Sequence, residues 1–535
     1  LSGEAVKEAG EQEPESGAAV RESDAAVQES GAGQQPEPDA GLQDTDAGVQ
    51  ETDAGLQDTD AGAQEFDAGA QESDAGVQET GAGQSGRRSS GLWSVEEHLD
   101  DILRQIRPLD PLEMQLLDAQ GCVLVEDVTA AVALPPFDNS SMDGYAVRTV
   151  DVERASDEFP AVLRVIGDVP AGGGAELPHV GAGEAARIMT GAPLPPGTQA
   201  VVPVEWTDGG TGRGRVDAMR PHSESPAGAG GEVRIYAPAD TGRHVRTRGS
   251  DVLAGDLVLR AGTVLGPAQI GLLAAIGRGT VRVRPRPRVV VLSTGSELVP
   301  PGEQLSPGRI HDSNSYALTA AARDAGAIAY RVGAVADDAE TLRATVEDQL
   351  IRADALVTSG GVSVGAYDVV KEALAELDGE AGGGVEFRRL AMQPGKPQGF
   401  GRIGADRTPL FALPGNPVSA YISFEMFVRP VIRRLMGVEP VHRPVVRARL
   451  AADEPLTSPA GRRQFLRGWY EREPADTGPD AGTAPAEAAP AEVAPVGGAG
   501  SHLVAALARA NALVVVPEET TEVAPGSPVD VVLLD

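Results

Sequence analysis

Cysteine, lysine and aromatic residues are scarce in this chain. Cys122 is the only cysteine in 535 residues, which excludes an intrachain disulfide and a cysteine-based metal cluster. A single small thiol in a helix-to-strand region reads as a packing residue rather than a nucleophile. Lysine occurs three times, at positions 7, 371 and 396, against 42 arginines, so Lys396 stands out against the drift of the whole sequence. No apolar run approaches the length of a membrane-spanning helix, and the N-terminus is acidic rather than basic-then-apolar. A cytoplasmic protein with no membrane contact is expected. The formal charge is −34 and no basic patch stands out, which argues against nucleic acid as the main partner. The seven histidines are scattered, and no Ser/His/Asp constellation can be assembled from them.

What is present divides unevenly. The length requires several domains. Residues 1–90 carry 21 acidic and 4 basic side chains, a net of −17, half of the total excess. Within this tail, residues 39–80 repeat every seven positions (DAGLQDT, DAGVQET and variants). A coiled coil needs two apolar positions per heptad. Each unit here has at most one, plus a glycine that costs a helix about 1 kcal/mol, so a disordered acidic tail is expected.

Order begins near Leu92. Ser94 and Glu97 form an S-x-x-E capping box, and Val95, Leu99, Ile102, Leu103 and Ile106 follow helical spacing until Pro108. A second short helix is expected over 111–120. Residues 159–236 alternate short apolar runs with Gly/Pro turns, the pattern of a small all-β module, with a Gly-rich mobile loop at 207–231. From Arg288 strand-like runs (RVVVLSTG, AIAYRVGAV, ADALVTSGG, LFALPG) alternate with helical stretches at 316–325, 338–352, 367–377 and 417–435, a doubly wound α/β sheet. After Pro440, strand-like runs broken by a Pro/Ala/Glu-rich insert at 471–499 predict a small β-barrel with a flexible loop.

Three glycine-rich turns follow apolar strands of the α/β region: TSGGVSVGAYD (358–368), MQPGKP (392–397) and LPGNPVSA (413–420). In open α/β sheets ligands bind beyond the carboxyl ends of the strands, and glycine lets backbone N–H groups approach an anion closely. Ser359, Gly360, Gly361, Ser363 and Gly365 are therefore candidate binders of a phosphorylated ligand, as are Asn416 and Ser419 at a helix start, where ordinary capping is equally open. Lys396, between two prolines, could neutralise a phosphate or another oxyanion. Glu297, Asp312, Asp337, Asp338 and Asp368 fall at or just after strand ends. Singly each reads as a cap or solvated turn; together they suit Mg²⁺ and metal-assisted phosphate chemistry. In the β region, Asp138 and Asp143 read as an Asx-turn on composition alone, Thr190 either donates to a phosphate or bonds its own turn, and Arg248 with Asp251 flanks a glycine turn.

In this order, DNSSMDGYAV, IMTGAPLPPG, RGSDVLAGD, STGSEL, HDSN, TSGGVSVGAYD, MQPGKP and LPGNPVSA resemble the motifs of the molybdopterin molybdenumtransferase family, the molybdenum insertases of cofactor biosynthesis. The resemblance spans about residues 92–535, apart from 471–499. Beyond the tail (1–91), it implies a homodimer of four-domain subunits: an elongated linker domain (92–133 and 235–285), an inserted β-module (134–234), an α/β domain of the molybdopterin-binding type (286–438) and a C-terminal barrel (439–535). It also implies Mg²⁺-dependent hydrolysis of adenylylated molybdopterin coupled to molybdate insertion, releasing AMP, and a possible encounter with the molybdopterin adenylyltransferase. By motif position it gives catalytic roles to Asp143, Thr190, Asp251, Glu297, Asp337 and Asp368, with the metal on Glu297, Asp337 and Asp368, and it adds Pro414 and Pro417 to the substrate site beside Lys396. Asp143 and Thr190 would act across the dimer interface. Some members carry lysine at the positions of Arg389 and Gln393, aspartate at that of Ser296 and glutamate at that of Ser250.

Two other readings compete. An adenylyltransferase resembles the α/β domain alone, which leaves the 92–285 region and the barrel without a purpose. A non-catalytic scaffold would not need the site carboxylates.

Overall fold

In the computed structural model the described residues are 91–172, 176–219, 231–336, 338–361, 373–374, 384–472 and 491–534, all within the unit Ser85–Asp535. The acidic repeats, Asp337, the stretch 362–372 with Ser363, Gly365 and Asp368, and most of the insert 471–499 lie outside them.

The four apolar runs read from Arg288 onward become the parallel strands Arg288–Thr294, Ile328–Val335, Ala355–Ser359 and Thr408–Leu413. Two further strands, Val385–Arg389 and Pro397–Ile403, add antiparallel at one side. Across the sheet the order is Ile328–Val335, Arg288–Thr294, Ala355–Ser359, Thr408–Leu413, Pro397–Ile403, Val385–Arg389. Val289 and Val291 face one layer with Leu318, Ala322, Phe427 and Ile432, while Val290 and Leu292 face the other with Leu342 and Val346. Apolar side chains on both strand faces are what a sheet covered on both sides requires. The helices supplying those layers are Asn314–Asp324 and Ala339–Leu350, at the expected places; the stretch expected as a helix over 367–377 is described only at 373–374.

The stretch expected as one helix over 417–435 is three segments: Pro417–Ser423, a π-helical turn Phe424–Val428, and Arg429–Met436 closed by Gly437 at φ 71°. Pro430 has no N–H to donate to the carbonyl one turn back, and the ladder widens before it. The order of strands reverses at Arg288–Thr294: its successor in the chain lies on one side and Ala355–Ser359 on the other. The crevice beyond Thr294 and Ser359 is therefore the topological switch point.

A five-stranded sheet forms the β-module, in the order Ala200–Pro203, Gly144–Val147, Glu184–Ile188, Ala161–Val169, Glu232–Ile235. Its entry and exit pair with each other, Asn139–Ser140 against Val245–Arg246. Gly144 abuts the Val202 carbonyl so closely that a Cβ would not fit. The 207–219 part of the expected mobile loop is pinned: buried Asp208 accepts the amides of Gly210 (2.9 Å), Gly212 (3.0 Å) and Arg234 (2.9 Å).

Residues 111–120 contain no helix. Leu112–Gln115 is a strand paired with Thr280–Arg284, followed by turns; helix-favouring Leu, Glu, Met and Gln yield to the partner strand. In the C-terminal region Arg463–Glu471, Glu492–Pro495, Val445–Leu450, Pro528–Leu533 and Ala512–Val516 pair in a ring, the last strand returning to the first. Glu492–Pro495 belongs to this ring although its composition reads as part of the flexible insert. Val493 is fully buried there, and partners on both sides supply the pairing that a Pro/Ala-rich stretch does not advertise.

The helix Val95–Gln105 carries its capping box as expected: Glu97 N donates to Ser94 Oγ and Ser94 N to Glu97 Oε2, both at 3.0 Å. Its buried face (Val95, Leu99, Ile102) joins the core of the α/β layer and of Phe465 and Val532 in the C-terminal ring. Just before it, Trp93 N donates to Arg389 O (3.0 Å) and Ala391 N to Trp93 O (2.8 Å), and the Trp93 ring stacks on Arg388 at 3.9 Å.

Candidate functional site

A cleft of ≈ 740 Å³ opens at the switch point. Three loops build it, each leaving the carboxyl end of a strand or joining the barrel. After Arg288–Thr294, Gly295 and Glu297 form the first wall; after Ala355–Ser359, Gly360 (φ 100°) and Gly361 (φ 68°) form the second; after Thr408–Leu413, Pro414, Gly415, Asn416, Pro417 and Ser419 form the third. The loop Gln393–Pro397 with Lys396, and Ser501 and His502 from the C-terminal region, complete the lining.

Internal hydrogen bonds hold these loops in place. Asn314 Nδ2 donates to Ser359 Oγ (2.8 Å) and Gly415 O (2.7 Å), and Ser359 Oγ donates to Pro414 O (3.2 Å). Gly415 would place a Cβ 3.4 Å from the Cα of Gly360, so small residues on both loops permit the approach. Asn416 Nδ2 donates to Ser501 Oγ (3.0 Å) and Val418 N to Ser501 O (3.1 Å), tying the helix start to the C-terminal region.

The carboxylates divide into committed and free. Asp312 is buried; its carboxylate accepts from Ser293 Oγ (2.9 Å), Ser315 N (3.1 Å) and Ser315 Oγ, so it anchors the start of the helix Asn314–Asp324 instead of serving a rim cluster. Asp338 caps Ala339–Leu350 through Thr341 N (2.8 Å), and the Thr341 hydroxyl and amide together hold its pKa below the ordinary carboxylate value. Glu297 is exposed and curls over Gly295, and its carboxylate has no hydrogen-bond or ion-pair partner among the described residues. No group of three or more His, Cys, Asp or Glu able to hold a metal ion occurs among the described residues.

The cations are free as well. Lys396, Arg389 and Arg462 have no carboxylate partner among the described residues. The Lys396 ammonium is held below its ordinary value by desolvation first and then by Arg389 and Arg462. Arg462 arrives because Met392–Gln393 pairs in parallel with Arg463–Gln464, and its Nη1 lies 3.5 Å from Gln393 Oε1. Three cations gathered without a counter-charge repel one another, and an anion between them relieves that cost.

Arg467 is a further residue that pattern reading missed. Its guanidinium is 1% exposed; Nη2 donates to Gly498 O, in the segment leading to Ser501, while Nε and Nη1 have no partner among the described residues. A lone arginine inside a predicted strand was the only available signal. Asn314, beside the carboxylate of HDSN, was equally inconspicuous.

The β-module gathers the other expected residues at a different place. Thr190 N donates to Asp143 Oδ1 (2.6 Å), Gly191 N to Ser140 O (2.8 Å), and Arg248 N to Asp138 Oδ1 (2.7 Å). The loops carrying DNSSMDG, TGAPLP and RGSD therefore meet on one edge, with Asp143, Thr190 and Asp251 exposed. None of these three lines the 740 Å³ cleft.

Family comparison agrees with this arrangement. Residues 93–277 match the MoeA N-terminal region (domain I and II), 290–434 match a probable molybdopterin binding domain, and 448–534 match the MoeA C-terminal region (domain IV). Molybdopterin molybdenumtransferase 2 of Mycobacterium tuberculosis is 44% identical over 439 residues, 82% of this chain and 98% of that protein. Molybdopterin molybdenumtransferase 1 of the same organism is 41% identical over 456 residues, 82% of this chain and 99% of that protein. The crystal structure of the molybdopterin biosynthesis moea protein from Pyrococcus horikosii is similar with a TM-score of 0.59 at 33% identity, covering 83% of this chain and 99% of that one. With the switch-point cleft, the closed C-terminal sheet and matches along nearly the whole described length, this chain belongs to the molybdopterin molybdenumtransferase family, enzymes of molybdenum cofactor biosynthesis.

Proposed function

We propose that the protein inserts molybdenum from molybdate into adenylylated molybdopterin, hydrolysing the phosphoanhydride and releasing AMP. The observation that carries this reading is the meeting, in one cleft, of a glycine-lined phosphate cradle (Ser359, Gly360, Gly361) with Lys396, behind which Arg389 and Arg462 add positive charge. Both substrates are anionic, and their approach to each other needs positive charge and N–H donors. The cradle takes the phosphoanhydride, Pro414, Asn416, Pro417 and Ser419 shape the opposite wall, and the cations take the oxyanion.

A magnesium ion fits the donors in outline. Mg²⁺ uses one or two protein carboxylates and completes its shell with phosphate and water oxygens, and Glu297 is the unengaged carboxylate that the described residues offer to the cleft. Asp337 and Asp368 are proposed as its companions from their motif positions, as Ser363 and Gly365 are for the cradle. When bound, the ion would polarise the phosphoanhydride. Glu297 also orients the attacking water, and Lys396 offsets the charge of the oxyanion.

Asp143, Thr190 and Asp251 lie outside the cleft of their own chain, and we assign them to the cleft of a second copy. The proposed unit is thus a cytoplasmic homodimer with two composite sites, to which the adenylyltransferase could deliver substrate directly. The test is complementation of cells lacking molybdenum insertase. The native chain restores molybdoenzyme activity, while Glu297→Gln and Lys396→Ala do not, although both fold. Restoration by both variants contradicts the site, and ATP consumption by the pure protein would favour an adenylyltransferase.

A further inference from the structure

The floor of the cleft holds a polar atom without a partner. Thr294, the last residue of Arg288–Thr294, is 4% exposed, and its Oγ1 has no hydrogen-bond partner among the described residues. It nevertheless lines the cleft at the switch point. Beside it sits Gly360, at φ 100°, where a Cβ would collide with Thr294 O and lie 2.9 Å from Thr294 Oγ1. The glycine thus keeps that side of the hydroxyl bare of a side chain that would crowd it.

The neighbours explain why nothing inside the protein satisfies it. Gly295 N donates to Val335 O (3.1 Å) and Gly360 N to Leu413 O (3.2 Å). Ser359 Oγ is engaged by Asn314 and Pro414. Ser293, one residue earlier, spends its hydroxyl on Asp312. Beside the committed hydroxyls of Ser293 and Ser359, a buried unsatisfied hydroxyl is a standing cost to the folded state. Such a cost persists at a binding site when a ligand atom meets it.

We propose that the Thr294 hydroxyl donates to a phosphoryl oxygen of the ligand, on the side that Gly360 keeps bare, and so fixes the phosphate in the cradle. This rests on the reading of the cleft as the substrate site and adds to it a specificity-determining residue. A phosphoryl oxygen suits the position because Gly360 and Gly361 surround it with backbone, whereas Lys396, Arg389 and Arg462 gather around Gln393–Lys396. A neutral donor in a glycine turn discriminates by geometry, while a cation cluster attracts any oxyanion.

The hypothesis predicts opposite signs for binding and stability. Thr294→Val keeps the shape and deletes the donor; Thr294→Ser keeps the donor. Calorimetric titration of the full-length protein with AMP, and separately with sodium molybdate, is paired with thermal melting of the unliganded proteins. Expected for Thr294→Val is AMP binding weakened about tenfold, unchanged molybdate binding, and a Tm equal to or above the native value; Thr294→Ser binds AMP as the native chain does. Native AMP affinity in Thr294→Val overturns the proposal. So does a lowered Tm, which would mean that the hydroxyl serves the fold, or a loss confined to molybdate, which would move it to the other anion. If the native protein binds neither probe, the cleft reading itself fails and takes this inference with it.

Discussion

The switch-point cleft and the edge of the β-module differ in the groups they leave uncommitted. In the cleft, buried Asp312 and the Asn314 amide are consumed in holding loops, and what remains free among the described residues is the Glu297 carboxylate, Lys396 with Arg389 and Arg462 near it, and a glycine cradle. At the module edge, what remains exposed is acidic or hydroxylic: Asp143, Thr190 and Asp251 on loops stitched by backbone amides. One region is built to receive anions and the other to present acids. Their separation within one chain is the reason for assigning them to each other across a dimer.

The sharpest way to break that pairing is to mix variants. Asp143→Asn and Lys396→Ala should each lose more than about a hundredfold in activity. Mixed and reassociated, they should recover about a quarter of native activity, because half of random dimers would hold one intact site. No recovery, with heterodimers demonstrated by mass, would contradict the composite site.

A smaller effect sharpens the cationic half. Because Lys396 deprotonates below the ordinary lysine range, through burial and its arginine neighbours, anion binding should fall as pH rises through that lowered value. Lys396→Arg stays charged, so its alkaline limb should extend to higher pH; coincident profiles for the two proteins would remove Lys396 from anion binding.

His98 links the N-terminal helix to the same loop. It is 1% exposed, packs on Phe427 at 4.9 Å between ring centroids, and its pKa is lowered to about 3 by burial first and then by Arg388. The unfolded chain binds a proton at pH values between about 3 and 6.5 that the folded chain refuses. The stability contributed by neutral His98 is therefore complete above pH 6.5 and lost as pH falls toward 3. Denaturant melts should show a flatter acid limb in His98→Phe, with AMP binding at pH 8 little changed. The smallest effect expected is Ser94→Ala, which removes the capping box and should cost about 1 kcal/mol of stability without altering the cleft.

Much of the α/β region was legible because its signals are local. Valine-rich runs buried on both faces and glycine turns at their ends give strand, turn and site together. Glu297, Ser359, Gly360, Gly361, Lys396, Pro414, Asn416, Pro417 and Ser419 all line one cleft. What failed depends on distant partners. Leu112–Gln115 is a strand because Thr280–Arg284 lies beside it, and Glu492–Pro495 is a strand because a ring closes around it. Asp312 looked like a metal ligand until three donors converged on it. Arg462 and Arg467 gained meaning only when strand pairing carried them to the Gln393 and Ser501 loops. Asp337, Asp368, Ser363 and Gly365 stand on their motif positions.

The most direct test of the central claim is AMP release from adenylylated molybdopterin by purified protein with Mg²⁺, with and without molybdate. The account predicts release that depends on molybdate and yields active molybdenum cofactor. Release indifferent to molybdate, or none from a well-folded protein, would contradict it.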